Sequence, residues 1–245
     1  VYQYFDEITK KLKAVEKDEK DNIFNAAVLL AKTLENQSST YIFGASHAGI
    51  LTQEAFYRAG GLITMNPIFG TEIMLNNRPV TLTSKMERLE GYGTDLASTI
   101  DFQKNDLLFL HSVSGRNPVT IEMALVARNA GVKIIAITNL KYSKRITSRH
   151  SSGKKLYQLA DIVIDNHGEI GDAMCKISGY QQKIAPSSTI TGSGILNCIV
   201  VEACRLLAND GIDELPIFYS ANMDGGDELN KKLFYKYEKL IHYSF

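Results

Sequence analysis

The sequence predicts a doubly wound α/β fold: a parallel, flavodoxin-like sheet of about five strands, flanked by helices, with N-terminal helices ahead of it and a C-terminal helix behind. Two observations carry this. Short apolar runs rich in β-branched residues recur at TYIFG 40–44, GLITM 61–65, DLLFLHS 106–112, VKIIAIT 132–138 and DIVID 161–165, each too short for a helix. Between them lie helical patterns over 47–59, 85–98, 118–130 and 154–159. Strands that alternate with helices require crossover connections, which place the strands parallel.

Each flanking element has its own signal. Tyr4, Phe5, Ile8, Leu12 and Val15 recur at helical spacing, and a second amphipathic run carries Ile23, Phe24, Ala27, Leu30, Ala31 and Leu34; the charged stretch KDEKDN at 17–22 lies between the two. We take residues 1–36 as an N-terminal helical extension and 37–245 as the main domain. After the third strand, Asn117 is a good N-cap, Pro118 suits the first helical position because its missing N–H has no partner there, and Gly131 is placed to end the helix. A long helix is expected over 189–209 and a last one over 227–242.

Composition narrows the partners. With 27 basic and 27 acidic residues, no global field draws the chain to nucleic acid or to an anionic membrane, so any anion site must be local. The apolar run 195–207 is interrupted by Asn197, Glu202 and Arg205, and no spanning segment is expected. Cys175, Cys198 and Cys204 lack metal-ligand spacing and suit a reducing cytoplasm. No metal and no cofactor is expected: GASHAG lacks the glycine spacing of a dinucleotide loop, and no Walker sequence occurs.

The chemistry gathers at strand ends. In open α/β sheets ligands bind beyond the carboxyl ends of the strands, and there the sequence places SVSGRNP 112–118, with Ser112, Ser114, Gly115, Arg116 and Asn117. Hydroxyls, a turn-permitting glycine and the start of a helix can cradle a phosphate, although an ordinary capped turn has the same composition. Other strand ends add Ser46 and His47, Thr138, and Ser187, Ser188 and Thr189.

These residues resemble the SIS (sugar isomerase) domain, a phosphosugar-binding fold, and more closely the bacterial SIS proteins similar to phosphoheptose isomerase. The resemblance rests on GASHAG 44–49, on SVSGRNP with the following VTIEMALVARNAGVKIIAIT, on PSST 186–189 and on SANMDGGDELN 220–230. It implies a phosphate held by Ser112 and Ser114, a pocket completed by Ser46, Ser187, Ser188 and Thr189, a sugar phosphate as ligand, and a homo-oligomer, dimer or tetramer. The SGR-P form also resembles N-acetylmuramic acid 6-phosphate etherases, which leaves isomerase and lyase both open.

Proton transfer needs an acid or base. Glu87 and Glu90 in ERLEGYG stand three apart, on one face if the helix is continuous. The etherase resemblance points to Glu90 first and Glu87 second, with a surface pair to Lys85 or Arg88 as the plain alternative. His47 could assist at the sugar, and His111 reads as a satisfied core residue. The segment 139–154, with Lys141, Lys144, Arg145, Arg149 and His150, is long for a loop and could cover an anionic ligand. Two other classes stay in view: a non-catalytic phosphosugar sensor, and a serine hydrolase built on GASHA, for which only distant histidines such as His242 could complete a triad.

Overall fold

The computed structural model describes residues 2–243. Helices α1 (Gln3–Asp18) and α2 (Lys20–Glu35) precede strand β1 (Thr40–Gly44), helix α3 (Ile50–Ala55) and strand β2 (Met65–Pro67). Then follow α4 (Thr81–Met86), α5 (Tyr92–Ser98), β3 (Leu107–His111), α6 (Pro118–Asn129), β4 (Lys133–Thr138), α7 (Leu140–Arg145) and β5 (Ile162–Asp165). A small antiparallel pair, β6 (Ala173–Cys175) and β7 (Ile184–Pro186), leads into the long helix α8 (Ser188–Asn209), and α9 (Gly226–Lys236) follows.

The five main strands are parallel in the order β2-β1-β3-β4-β5. Alternate residues of each strand feed two separate cores, as the period of two requires. Ile42, Leu107, Phe109, Ile135, Ile137 and Ile164 pack on one face against α2 and α8. Tyr41, Phe43, Leu108, Leu110, Ile134 and Ala136 pack on the other, against α6 and Leu156. The expected doubly wound sandwich is therefore what forms. Helix α2 puts Ala26, Ala27, Leu30 and Ala31 into the same core as α8. Among the described residues α8 alone is long and apolar enough to cross a membrane, with a mean hydropathy of 1.5, yet its Ile195, Leu196, Ile199, Ala203 and Leu207 are buried in that core.

Several elements differ from expectation, each for a local reason. The apolar run 61–65 does not form the second strand: Leu62 bridges antiparallel to Ile217, the Phe218 N–H donates to the Gly61 carbonyl, and only from Met65 does the chain pair with β1. The helix expected over 47–59 is a 3-10 turn, Ser46–Gly49, followed by α3, and it stops before Tyr57, whose φ is 46°. The helix expected over 85–98 is broken in two by Gly91 at φ 94°, outside the right-handed helical region. Residues 154–159 form only a 3-10 turn, Leu156–Gln158. The final helix ends at Lys236, with a 3-10 turn over Glu238–Leu240 beyond it.

The edge strand β2 is covered by the end of the chain. Asn66 Nδ2 donates to the Thr40 and Leu240 carbonyls at 3.1 and 2.9 Å, and its Oδ1 accepts the His242 N–H at 2.7 Å. The His242 ring stacks on Tyr41 with centroids 5.6 Å apart. This position separates His242 from the GASHA turn and removes it as a triad partner for Ser46.

Candidate functional site

The strand order reverses between β1 and β3: from β1 the chain moves outward to β2, then returns to pair β3 on the other side. Loops leaving the carboxyl ends of two such strands diverge and open a crevice. Here they are Ala45–Gly49 after β1 and Ser112–Asn117 after β3, and they frame a cleft of about 310 Å³ lined by Ser46, His47, Glu87, Ser112, Ser114 and Asn117, with Thr120, Tyr142, Asp172 and Ser188.

The loop after β3 is built for close approach. Gly115, at φ 61°, turns its N–H onto Ser112 Oγ at 3.2 Å, and its carbonyl accepts the Leu156 N–H at 2.9 Å. Thr138 lies beneath the loop, fully buried, and donates to the Ser112 carbonyl at 2.6 Å. Asn117 holds the N-cap position of α6 in an extended conformation; Pro118 has no N–H and the Val119 N–H donates to the Glu87 carbonyl at 3.3 Å, which leaves Thr120, a cleft-lining residue, to offer its N–H from the first turn. Across the cleft, Ser46 holds a left-handed φ of 56°. For a residue with a Cβ this conformation is strained, and strain of this kind collects at binding sites.

Glu87 and Asp172 are the acids lining the cleft, and Asp172 is committed to the serines of α8. Burial raises the Glu87 carboxyl above the ordinary carboxylate range, opposed by a hydrogen bond with Asn117 and by the charges of Arg88, Arg149 and His47. Glu90 does not reach the cleft. It is exposed, and its Oε1 accepts the Ser151 N–H at 2.6 Å, a contact that lowers its pKa. The two glutamates do not share a helical face, because α4 has ended at Met86 and α5 has not begun.

The serines at the start of α8 divide between two roles. Ser187 is fully buried and spends both its N–H and its hydroxyl on Asp172 Oδ1, each at 3.2 Å. Ser188 lines the cleft, its N–H 2.9 Å from Asp172 Oδ1 and its hydroxyl 2.6 Å from Oδ2. Thr189 is not among the lining residues. The positive end of α8 is thus already matched by a carboxylate. Sequence reasoning missed Asp172, because a lone Asp in GDAMC belongs to no motif.

His111 ends β3 and donates from Nδ1 to the Ala48 carbonyl at 3.0 Å, which joins the two loops from behind. Burial lowers its pKa, and its Nε2 has no partner, so it is a core residue satisfied at one nitrogen only. The segment 139–154 is not a plain loop, since it contains α7, capped by Asn139 Oδ1 at the Tyr142 N–H. It lies on the cleft edge: the Arg149 N–H donates to the Arg116 carbonyl, and His150 Nε2 stands 3.5 Å from the buried carboxylate of Glu122. Among the described residues no three His, Cys, Asp or Glu side chains are grouped to hold a metal ion.

A family profile described as the SIS domain matches residues 3–139, more than half of the chain. Full-length relatives are similar as well: a UPF0309 protein of Oceanobacillus iheyensis is 51% identical over 241 residues, covering 98% of each chain, and one of Shouchella clausii is 48% identical over 243 residues, covering 99% of this chain and 98% of its own. The chain belongs to the SIS-domain family, and within it to the UPF0309 proteins. Among solved structures, the phosphoheptose isomerase of Neisseria gonorrhoeae has the same fold, with a TM-score of 0.53 at 15% identity over 83% of this chain and 95% of that one.

Proposed function

We propose that this protein binds a sugar phosphate in the cleft between the β1 and β3 loops and isomerises it by proton transfer through Glu87. The observation that carries the reading is the position of Glu87: a half-buried carboxyl with a raised pKa, lining the same cleft as Ser112, Ser114 and the start of α6. The phosphate belongs at α6 rather than α8, because Asp172 already supplies the negative charge at α8 and a second anion beside it would be repelled. Ser112, Ser114, Gly115 and the Thr120 N–H at the start of α6 serve the phosphate.

The chemistry follows from that placement. With the open-chain sugar bound, ionised Glu87 removes the proton on the carbon next to the carbonyl, and the electron pair moves into an enediol. The same carboxyl returns the proton to the former carbonyl carbon, while the hydroxyl protons exchange through neighbouring groups, among them the exposed His47 that lines the cleft. A carboxyl held above the ordinary carboxylate range is a stronger base than a solvated one. The alternative elimination of a leaving group beside the same carbon uses the same base.

The protein works as a homo-oligomer in the cytoplasm, where its three free cysteines stay reduced. A second depression, about 790 Å³, lies between α1, α2 and α8 and is lined by Leu12, Ile23, Phe24 and Ile195. Phe5, Phe24 and Val201 are exposed near it at 64, 48 and 56%, an apolar surface suited to a second copy. The deciding experiment incubates the protein in deuterated water with hexose and heptose phosphates. Deuterium at the carbon next to the carbonyl supports the reading; binding without exchange or product assigns the protein as a sensor.

A further inference from the structure

Three guanidinium groups, those of Arg149, Arg116 and Arg88, meet the single carboxylate of Glu87 at one edge of the cleft. Arg149 Nη1 donates to Asn117 Oδ1 at 2.9 Å, and its backbone N–H donates to the Arg116 carbonyl at 2.9 Å, so the α7 segment and the phosphate-binding loop are tied side by side. Arg116 reaches Thr147 Oγ1 at 3.4 Å, and its buried Nε has no partner. Arg88 adjoins Glu87 in sequence. Burial, and then the charges of Arg116 and Arg88, lower the pKa of Arg149, as expected of cations held near one another. Among the described residues none of the three forms an ion pair.

Like charges brought together raise the energy of the empty protein unless something else offsets them. Glu87 sets one negative charge against three positive ones, so an excess of positive charge remains. The first phosphate has its own donors at α6. What remains is a set of planar, forked donors, the geometry that pairs with a carboxylate or a phosphate through two parallel hydrogen bonds.

We propose that Arg149, with Arg88 and Arg116, forms a second acid-binding subsite, so that the preferred ligand is a sugar phosphate bearing a further acidic group. This inference rests on the phosphosugar reading and names its substrate class. Asn117 joins the two subsites: it begins the helix that serves the phosphate, and its side chain accepts from the arginine that serves the second acid. Tyr142 of α7 also lines the cleft.

The test is binding calorimetry with two matched pairs: glucose 6-phosphate against 6-phosphogluconate for a carboxylate, and fructose 6-phosphate against fructose 1,6-bisphosphate for a second phosphate. In the wild type at least one acid-bearing ligand should bind about tenfold more tightly than its counterpart, a gain of the size of one charge-assisted pair. Arg149→Gln, at an exposed position where folding is not at stake, should cost that ligand about tenfold more affinity than it costs the counterpart; Arg88→Gln should act in the same direction. Equal binding within both pairs, or an equal loss for both members in Arg149→Gln, overturns the subsite. Binding of the singly acidic ligands that depends on Ser112 would then leave the phosphosugar reading intact, whereas binding of none of the four removes both.

Discussion

Asp172 Oδ2 and Ser188 Oγ stand 2.6 Å apart at the first residue of α8, so the longest helix of the protein is capped by a carboxylate from the preceding hairpin rather than by a residue of its own N-cap. Both side chains also line the cleft. Asp172→Ala removes an acceptor from four donors and should lower stability by about 0.5–2 kcal/mol, the usual range for a lost cap. Thermal unfolding measures this. Asp172→Asn, which keeps the acceptor oxygen but loses the charge, should fall between the two.

Ser112→Ala and Ser114→Ala should each weaken phosphosugar binding by about tenfold or more, since a hydroxyl donor to an anionic oxygen contributes about 1.5–3 kcal/mol. Ser187→Ala should leave affinity close to wild type, because that hydroxyl is buried against Asp172. Titration calorimetry on the three variants separates a cradle at α6 from one at α8. Loss in Ser187→Ala alone would reverse the assignment.

Glu87→Gln should retain binding and lose turnover, because the amide keeps the shape but cannot accept a proton. Glu90→Gln should leave turnover within a factor of about two, as expected of an exposed group outside the cleft. The pH profile carries a further sign. A base acts when ionised, and burial raises the Glu87 pKa, so kcat/KM should fall with decreasing pH at a point above the ordinary carboxylate range. A fall at or below that range would point to a different base.

Glu169 gives stability its own acid dependence. Its carboxylate meets Lys11 of α1 at 2.5 Å, Lys183 at 3.4 Å and Lys141 at 4.0 Å, and the hydrogen bond from Lys11, ahead of the other charges, holds its pKa at about 2. A pKa depressed in the folded state adds stability above the unfolded value, and this is lost as pH falls toward the folded one. Glu169→Gln should therefore lower the melting temperature at pH 7, and the difference from wild type should shrink below about pH 4.5. Melts across that window decide it.

The sequence read well where side-chain period alone determines structure. The apolar runs at β1, β3, β4 and β5 fell where strands formed, and the capping signals at Asn117 and Pro118 marked the start of α6. It misread places where a distant segment decides. The run 61–65 is as apolar as its neighbours, but its first half pairs with residues 216–218 instead of β1. The β6–β7 pair carries exposed Ile184 and little alternation, so no period announced it. The resemblance puts Glu90 ahead of Glu87, and the helical face expected to hold both does not exist, because α4 ends at Met86, ahead of both residues. Asp172 gave no signal, since its partners are four donors fixed by the fold.

The tail that covers β2 has a bearing on how the chain is made. Residues 240–243 are synthesised after every strand of the sheet, so Asn66 waits for its partners Leu240 and His242 while the rest of the sandwich can already assemble. During that interval the protein presents a short open sheet edge to other nascent copies of itself, the kind of surface on which chains pair wrongly. A chain truncated shortly before residue 240 would keep all five strands but lack the edge cover, and its failure would be seen as co-aggregation with sister chains rather than as loss of the cleft.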